Sequence, residues 1–124
     1  MQGSGGPSVR AVRGAIRVER DDAATVLGAT TRLIEAVLER NAVATTDIVS
    51  VFFTATPDLR SVFPAEAARR MGLGSVPLMC AQEMDVQGAM PRVVRILLHF
   101  HTSRSQAEVA PAYLDGAESL RDDL

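Results

Sequence analysis

VPLMCAQEMDVQGAMPR, from Val76 to Arg92, runs on into VVRILLHFH, ending at His101, and how this stretch is read decides the fold. Val76–Glu83 has the length and apolar character of a buried strand, and Pro91 opens a second one, RVVRILLHFH. Each strand carries a charge that does not belong in apolar surroundings: Glu83 close behind Cys80, and Arg95 inside VVRILL. A carboxylate buried without a partner costs several kcal/mol or changes its protonation state. These two charges therefore have to meet something, either each other or a ligand.

Working outward, VRAVRGAIRVER (Val9–Arg20) alternates apolar and basic residues and predicts a first strand. Val9, Ala11, Arg13 and Ala15 share one of its faces; Arg10, Val12, Gly14 and Ile16 share the other. Gly14 permits a close backbone approach or a bulge. Asp21 or Asp22 caps a following helix with apolar positions Val26, Leu27, Leu33, Ile34, Val37 and Leu38, ending near Asn41. Thr45–Asp47 reads as a turn or short capped entry, and IVSVFFTA (Ile48–Ala55) as a buried strand. TPDLRSVFP is a loop, and PAEAARRMGLG is a short helix with Pro64 at its start and Gly72 just beyond its end. The C-terminal PAYLDGAESLRDDL is open to two readings: propensity favours a helix from Ala117, while the rhythm of the preceding elements favours another strand. The sum is α+β: one mixed sheet of four or five strands, with one long and one short helix on one side. Such a sheet is under-covered for a monomer, and pairing with further copies would cover it.

A length of 124 residues suits one domain. The start, MQGSGGPS, reads as a flexible tail over residues 1–8, leaving residues 9–124 as the folded unit; it has no pattern of a secretory signal. No apolar run approaches the roughly 20 residues that span a bilayer. Net charge is -2 with no basic block, so neither nucleic acid nor a membrane is an expected partner. One cysteine, Cys80, excludes an internal disulfide and makes a cytoplasmic location the default. All 13 basic residues are arginine, so no single arginine stands out merely for not being lysine.

Arg95 has two readings. One is an ion pair with Glu83, Asp85 or Glu35. The other is a pocket where Arg95 and Arg13 wait for a ligand carboxylate, which a guanidinium fork matches two oxygens at a time. One glutamate cannot easily neutralise both arginines, which favours a small anionic ligand. His99 and His101 share a strand face two residues apart but lack a third zinc ligand, so rim histidines are the better reading. Cys80 has no base or oxyanion hole near it in sequence and reads as a small buried hydrophobe. No phosphate-binding glycine loop is present.

Five segments, in order, resemble the small monofunctional bacterial chorismate mutases of the trimeric pseudo-α/β-barrel class: VRGAIRVERD (Val12–Asp21), TATPDLRSVFPAEAAR (Thr54–Arg69), VPLMCAQEMDVQG (Val76–Gly88), RVVRILL (Arg92–Leu98) and AYLDGAESLR (Ala112–Arg121). The resemblance implies a ferredoxin-like fold of the Bacillus chorismate mutase kind, with a C-terminal strand and a homotrimer holding its sites between subunits. The implied reaction is the pericyclic conversion of chorismate to prephenate on the way to phenylalanine and tyrosine, without metal or cofactor. Carried over by position, Arg95 faces the ether oxygen and a carboxylate, while Arg13 and the Tyr113 hydroxyl bind the enolpyruvyl carboxylate. Glu83 accepts from the ring hydroxyl, and Met79 and Cys80 line that side. Phe63, Ala65 and Arg69 come from the adjacent subunit, and Leu120 and Arg121 belong to a mobile flap. Glu66 stands where a lysine can occur, Met79 replaces a smaller polar residue, and few residues follow Arg121. The rival expectations are a trimeric imine-hydrolase-like or metabolite-binding protein with an arginine-lined cleft, or a chorismate-binding protein without turnover.

Overall fold

Alternation along the first strand divides the molecule into a covered and an uncovered side. In the computed structural model, which describes residues 6–122, β1 spans Ser8–Arg17. Val12, Gly14 and Ile16 face a core closed by helices, while Val9, Arg13 and Ala15 face away from it, as the alternation predicted. β1 begins inside the segment expected to be a tail, and residues 1–5 of that segment lie outside the described residues.

α1 (Ala23–Arg40) starts where Asp22, in extended conformation, accepts from the Thr25 N–H at 2.8 Å. That bond satisfies one of the donors left over at a helix start. It also holds the Asp22 carboxyl below the usual carboxylate range. Asp21, read from sequence as an alternative cap, instead accepts from the backbone N–H groups of Arg60 and Ser61 at 3.0 and 3.1 Å and ties down the loop after β2. α1 ends at the buried Asn41, whose amide donates to Val37 O and Ala110 O at 2.9 Å each and accepts from the Ala110 N–H at 2.7 Å.

The remaining elements are β2 (Ile48–Ala55), α2 (Ala65–Arg70), β3 (Leu78–Gln82), β4 (Val93–Thr102) and β5 (Ala112–Leu114). Short 3-10 turns cover Thr45–Asp47, Gln106–Glu108 and Glu118–Asp122. The sheet order is β3-β2-β4-β1-β5. β4 runs antiparallel to both β1 and β2, so β1-α1-β2 is a split unit with β4 inserted between its strands. β3 and β5 add parallel edges, which completes the mixed five-stranded α+β sheet expected from sequence.

Both helices pack on one face. Phe53, Ile96, Leu98 and Phe100 of the sheet meet Leu33 and Ile34 of α1 there, all nearly inaccessible to water. Burial of each such side chain contributes about 1.5–3 kcal/mol. The odd-numbered residues of β4, from Val93 to His101, point to the other face, which neither α1 nor α2 covers; at one end of it Ala117 and Leu120 pack against Ala15 and Val93. On that face Val9, Phe52 and Met79 remain 48%, 37% and 58% exposed.

Further departures from the sequence expectation fall at β3 and at the C-terminus. β3 starts at Leu78 rather than Val76: Pro77 has no N–H for the ladder, although its carbonyl accepts from Val51 N at 3.0 Å. The C-terminal segment satisfies both readings in turn. β5 is only three residues long because Asp115 and Gly116 adopt φ of 52° and 96°, a left-handed turn that ends the strand before the 3-10 turn begins.

Candidate active site

The register aligns the polar residues of the uncovered face. Thr54 pairs with Arg95, Arg95 with Ala15, and Ala15 with Tyr113, forming one row across β2, β4, β1 and β5. Phe52, Leu97 and Arg13 form the adjacent row. With strands about 4.8 Å apart, the Arg95 and Tyr113 backbones lie about 10 Å from each other. Ala15 between them is itself buried against Val93, Ala117 and Leu120, so the open space lies on the side of the Phe52, Leu97 and Arg13 row. A cavity of about 250 Å³ opens there, lined by Arg13, Phe52, Thr54, Arg95, Leu97 and Tyr113.

Glu83 enters this group by continuing the edge pairing past β3: its N–H donates to Ala55 O at 2.9 Å. Its Oε2 accepts from Thr54 Oγ1 at 2.6 Å and lies 3.0 Å from Arg95 Nε. The pair is half-buried, with side-chain exposures of 36% for Arg95 and 19% for Glu83, so solvent screens it only partly. Of the two sequence readings of Arg95, the ion pair with Glu83 is present, and Arg95 also borders the cavity. Among the described residues, the Arg13 guanidinium has no hydrogen bond or ion pair, and the terminal nitrogens of Arg95 donate no hydrogen bond. Two arginines against one glutamate leave one net positive charge on this part of the face.

The other expected residues lie elsewhere. Cys80 pairs with Phe53 in the ladder and so turns to the helix side of β3, where Sγ accepts from the Ala65 N–H at 3.4 Å. Burial pushes its thiol pKa up, which keeps it a protonated small hydrophobe rather than a nucleophile. Phe63, 71% exposed, shares with Cys80 a cavity of about 520 Å³ between β3 and the loop leading into α2. Met79, paired with Phe52, projects to the uncovered face. Within this chain, then, Arg13, Met79, Glu83, Arg95 and Tyr113 are gathered on one side, and Phe63, Ala65 and Cys80 on the other.

Arg69 and Arg70 bind Glu66 at 3.1 and 3.2 Å. Their hydrogen bonds, Arg69's first, hold its carboxyl below the usual range. Leu120 departs from the expected mobile flap. It is buried against Ala15, Val93 and Ala117 beside Tyr113, which anchors the 3-10 turn to the uncovered face and leaves Arg121 exposed.

Two residues escaped the sequence reading. Thr54 was absorbed into an apolar strand, although strict alternation with Phe52 would have shown it on the uncovered face. Asp58, within the loop TPDLRSVFP, accepts with its two oxygens from the Arg92 N–H at 3.2 and 3.0 Å, three residues before Arg95. Arg92 has a left-handed φ of 52°, a conformation that costs about 1–3 kcal/mol in a non-glycine residue and that Asp58 holds in place.

Comparison with known proteins gives a consistent picture. The family model described as chorismate mutase type I matches residues 9–124. The chorismate mutase AroH of Thermus thermophilus is 44% identical over 117 residues, covering 94% of this chain and 96% of its own length. That of Bacillus subtilis is 39% identical over 117 residues, covering 94% and 92%. The solved structure of a chorismate mutase from Clostridium thermocellum matches with a TM-score of 0.87 at 38% identity, covering 89% of this chain and 98% of its own.

Proposed function

Because this chain belongs to the type I chorismate mutase family, we propose that its uncovered sheet face binds chorismate and guides the rearrangement to prephenate. The chain is an isomerase of aromatic amino acid biosynthesis. The observation that carries the assignment of the site is the cluster of Arg13, Arg95 and Tyr113 around one cavity on the face away from α1 and α2, with Glu83 paired to Arg95 beside it.

The reaction is unimolecular: the ether C–O bond breaks, a C–C bond forms at the far end of the enolpyruvyl arm, and no proton leaves or enters. The protein's work is therefore to hold a compact conformer and stabilise charge. The terminal nitrogens of Arg95 donate to the ether oxygen, where negative charge gathers as the C–O bond lengthens, and to a carboxylate. Arg13 and the Tyr113 hydroxyl bind the enolpyruvyl carboxylate. The Oε1 of Glu83 accepts from the ring hydroxyl.

One protomer cannot bring its two clusters to the same ligand, because the sheet lies between them. Three copies in a closed ring would set the β3–α2 edge of each against the uncovered face of the next. Phe63, Ala65, Cys80 and Arg69 of the partner subunit then wall the cleft. The ring also covers Val9, Phe52 and Met79. Substrate is a dianion and the open-face cluster carries one net positive charge, so Arg69 of the partner subunit and Arg121 complete the neutralisation. No helix among the described residues is long and apolar enough to cross a membrane, and we place the enzyme in the cytoplasm.

The test is the loss of chorismate absorbance with purified protein, in the presence of a chelator and without added cofactor. Turnover to prephenate is expected. Binding without turnover, or no binding, would overturn the assignment of this face.

A further inference from the structure

Thr54 faces Arg95 across the β2–β4 ladder and donates its hydroxyl to Glu83 Oε2 at 2.6 Å, the same oxygen that Arg95 Nε approaches at 3.0 Å. A carboxylate oxygen has about two lone pairs, and Oε2 already accepts the Thr54 hydroxyl and carries the ion-pair contact with Arg95. Oε1 has no hydrogen-bond partner among the described residues.

We propose that Thr54 is a positioning residue for the rearrangement: its hydroxyl holds Glu83 by one oxygen, leaving Oε1 to the substrate and the terminal nitrogens of Arg95 to the ether oxygen. This rests on the reading of Glu83 as the acceptor of the ring hydroxyl. Arginine and a carboxylate favour a two-armed contact. Without the Thr54 hydroxyl, Glu83 is free to rotate into that contact with Arg95. The two-armed pair consumes Oε1 and a terminal nitrogen together, so one lost hydroxyl disarms two groups that touch substrate. Threonine suits the task because its branched Cβ restricts χ1 and so fixes the direction of the donor on a strand.

The experiment measures kcat and KM for chorismate in the full chain, with melting temperature and oligomeric size as controls. Thr54→Val removes the hydroxyl and keeps the shape; Thr54→Ala removes it in a second way; Thr54→Ser restores it. A hydrogen bond to a charged group corresponds to about 10- to 150-fold in rate. Thr54→Val and Thr54→Ala should accordingly lower kcat/KM by about 10- to 100-fold, and Thr54→Ser should stay within about 5-fold of the parent. A merely structural threonine would also matter in a chain without Glu83. Positioning predicts that adding Thr54→Val to Glu83→Ala costs less than about 2-fold further, as coupled sites do.

Parent-like rates in Thr54→Val and Thr54→Ala, with Glu83→Ala impaired, would overturn the role of Thr54 alone. The full loss persisting on top of Glu83→Ala would do the same. A Glu83→Ala enzyme of parental rate would instead remove the acceptor role of Glu83, and that of Thr54 with it.

Discussion

Replacing Arg95 by lysine keeps the charge and tests whether charge is what matters. Arg95 Nε is 3.0 Å from Glu83 Oε2, so the inner nitrogen is the one beside the glutamate, and the proposed substrate contacts fall to the terminal nitrogens. Lysine has one nitrogen, placed one bond short of the arginine terminus. At about 3 Å and an effective dielectric of about 20, the gross attraction to Glu83 is about 5 kcal/mol before solvent screening at this half-exposed pair. The ammonium should therefore settle on Glu83 and leave the ether oxygen without a donor. Loss of one preorganised donor costs about 10²–10³-fold in kcat. Losing the carboxylate contact as well adds about 10- to 100-fold in kcat/KM. Arg95→Lys should thus approach Arg95→Ala, with kcat/KM down by about 10³-fold or more, while size-exclusion chromatography and the melting curve stay near the parent. Chorismate consumption followed by absorbance measures it. Adding Glu83→Gln should then raise the lysine variant about 3-fold or more, because the ammonium is released while an acceptor oxygen remains. An Arg95→Lys enzyme retaining over a tenth of parental kcat/KM would refute the reasoning, since a point charge would then suffice.

Other outcomes follow from separate parts of the molecule. Glu66 offsets Arg69 and Arg70, which the proposed trimer sets at the rim of the cleft, so Glu66→Gln should raise kcat/KM about 2- to 5-fold at low ionic strength. Stopped-flow or steady-state rates should show the gain vanish near 0.5 M salt, and a salt-independent gain would exclude steering. Asn41→Ala removes four hydrogen bonds at the buried end of α1 and should cost about 2–4 kcal/mol in denaturant unfolding, with kcat little changed. A Cβ on Gly14 would lie 2.6 Å from Ala112 O. Gly14→Ala should therefore cost about 1–3 kcal/mol and, by displacing β5 and Tyr113, raise KM; an unchanged melting temperature would show that β5 yields without strain.

Much of the architecture could be read along the chain because it is local. Two-residue alternation in β1 and β4 set their faces, helical spacing with Asp22 and Asn41 at its ends bounded α1, and Pro64 and Gly72 bracketed α2. The two charges in apolar strands already marked Arg95 and Glu83 as residues with a partner, since desolvation forbids anything else. Which partner was beyond that reasoning, because Glu35, Glu83 and Asp85 were equally available in one dimension.

Strand order and register made that choice. They brought Thr54, Arg95, Ala15 and Tyr113 into one row, joined Glu83 to it from the edge, and turned Cys80 to the other side of β3. They also buried Leu120 where a loose flap was expected. By itself, then, the sequence determined which segments are strands and helices, which faces are apolar, and which charges need company, because periodicity and burial cost act over a few residues. Only the tertiary structure decided who keeps that company, because pairing across a sheet brings together residues far apart in the chain and a one-residue slip would turn each side chain to the opposite face.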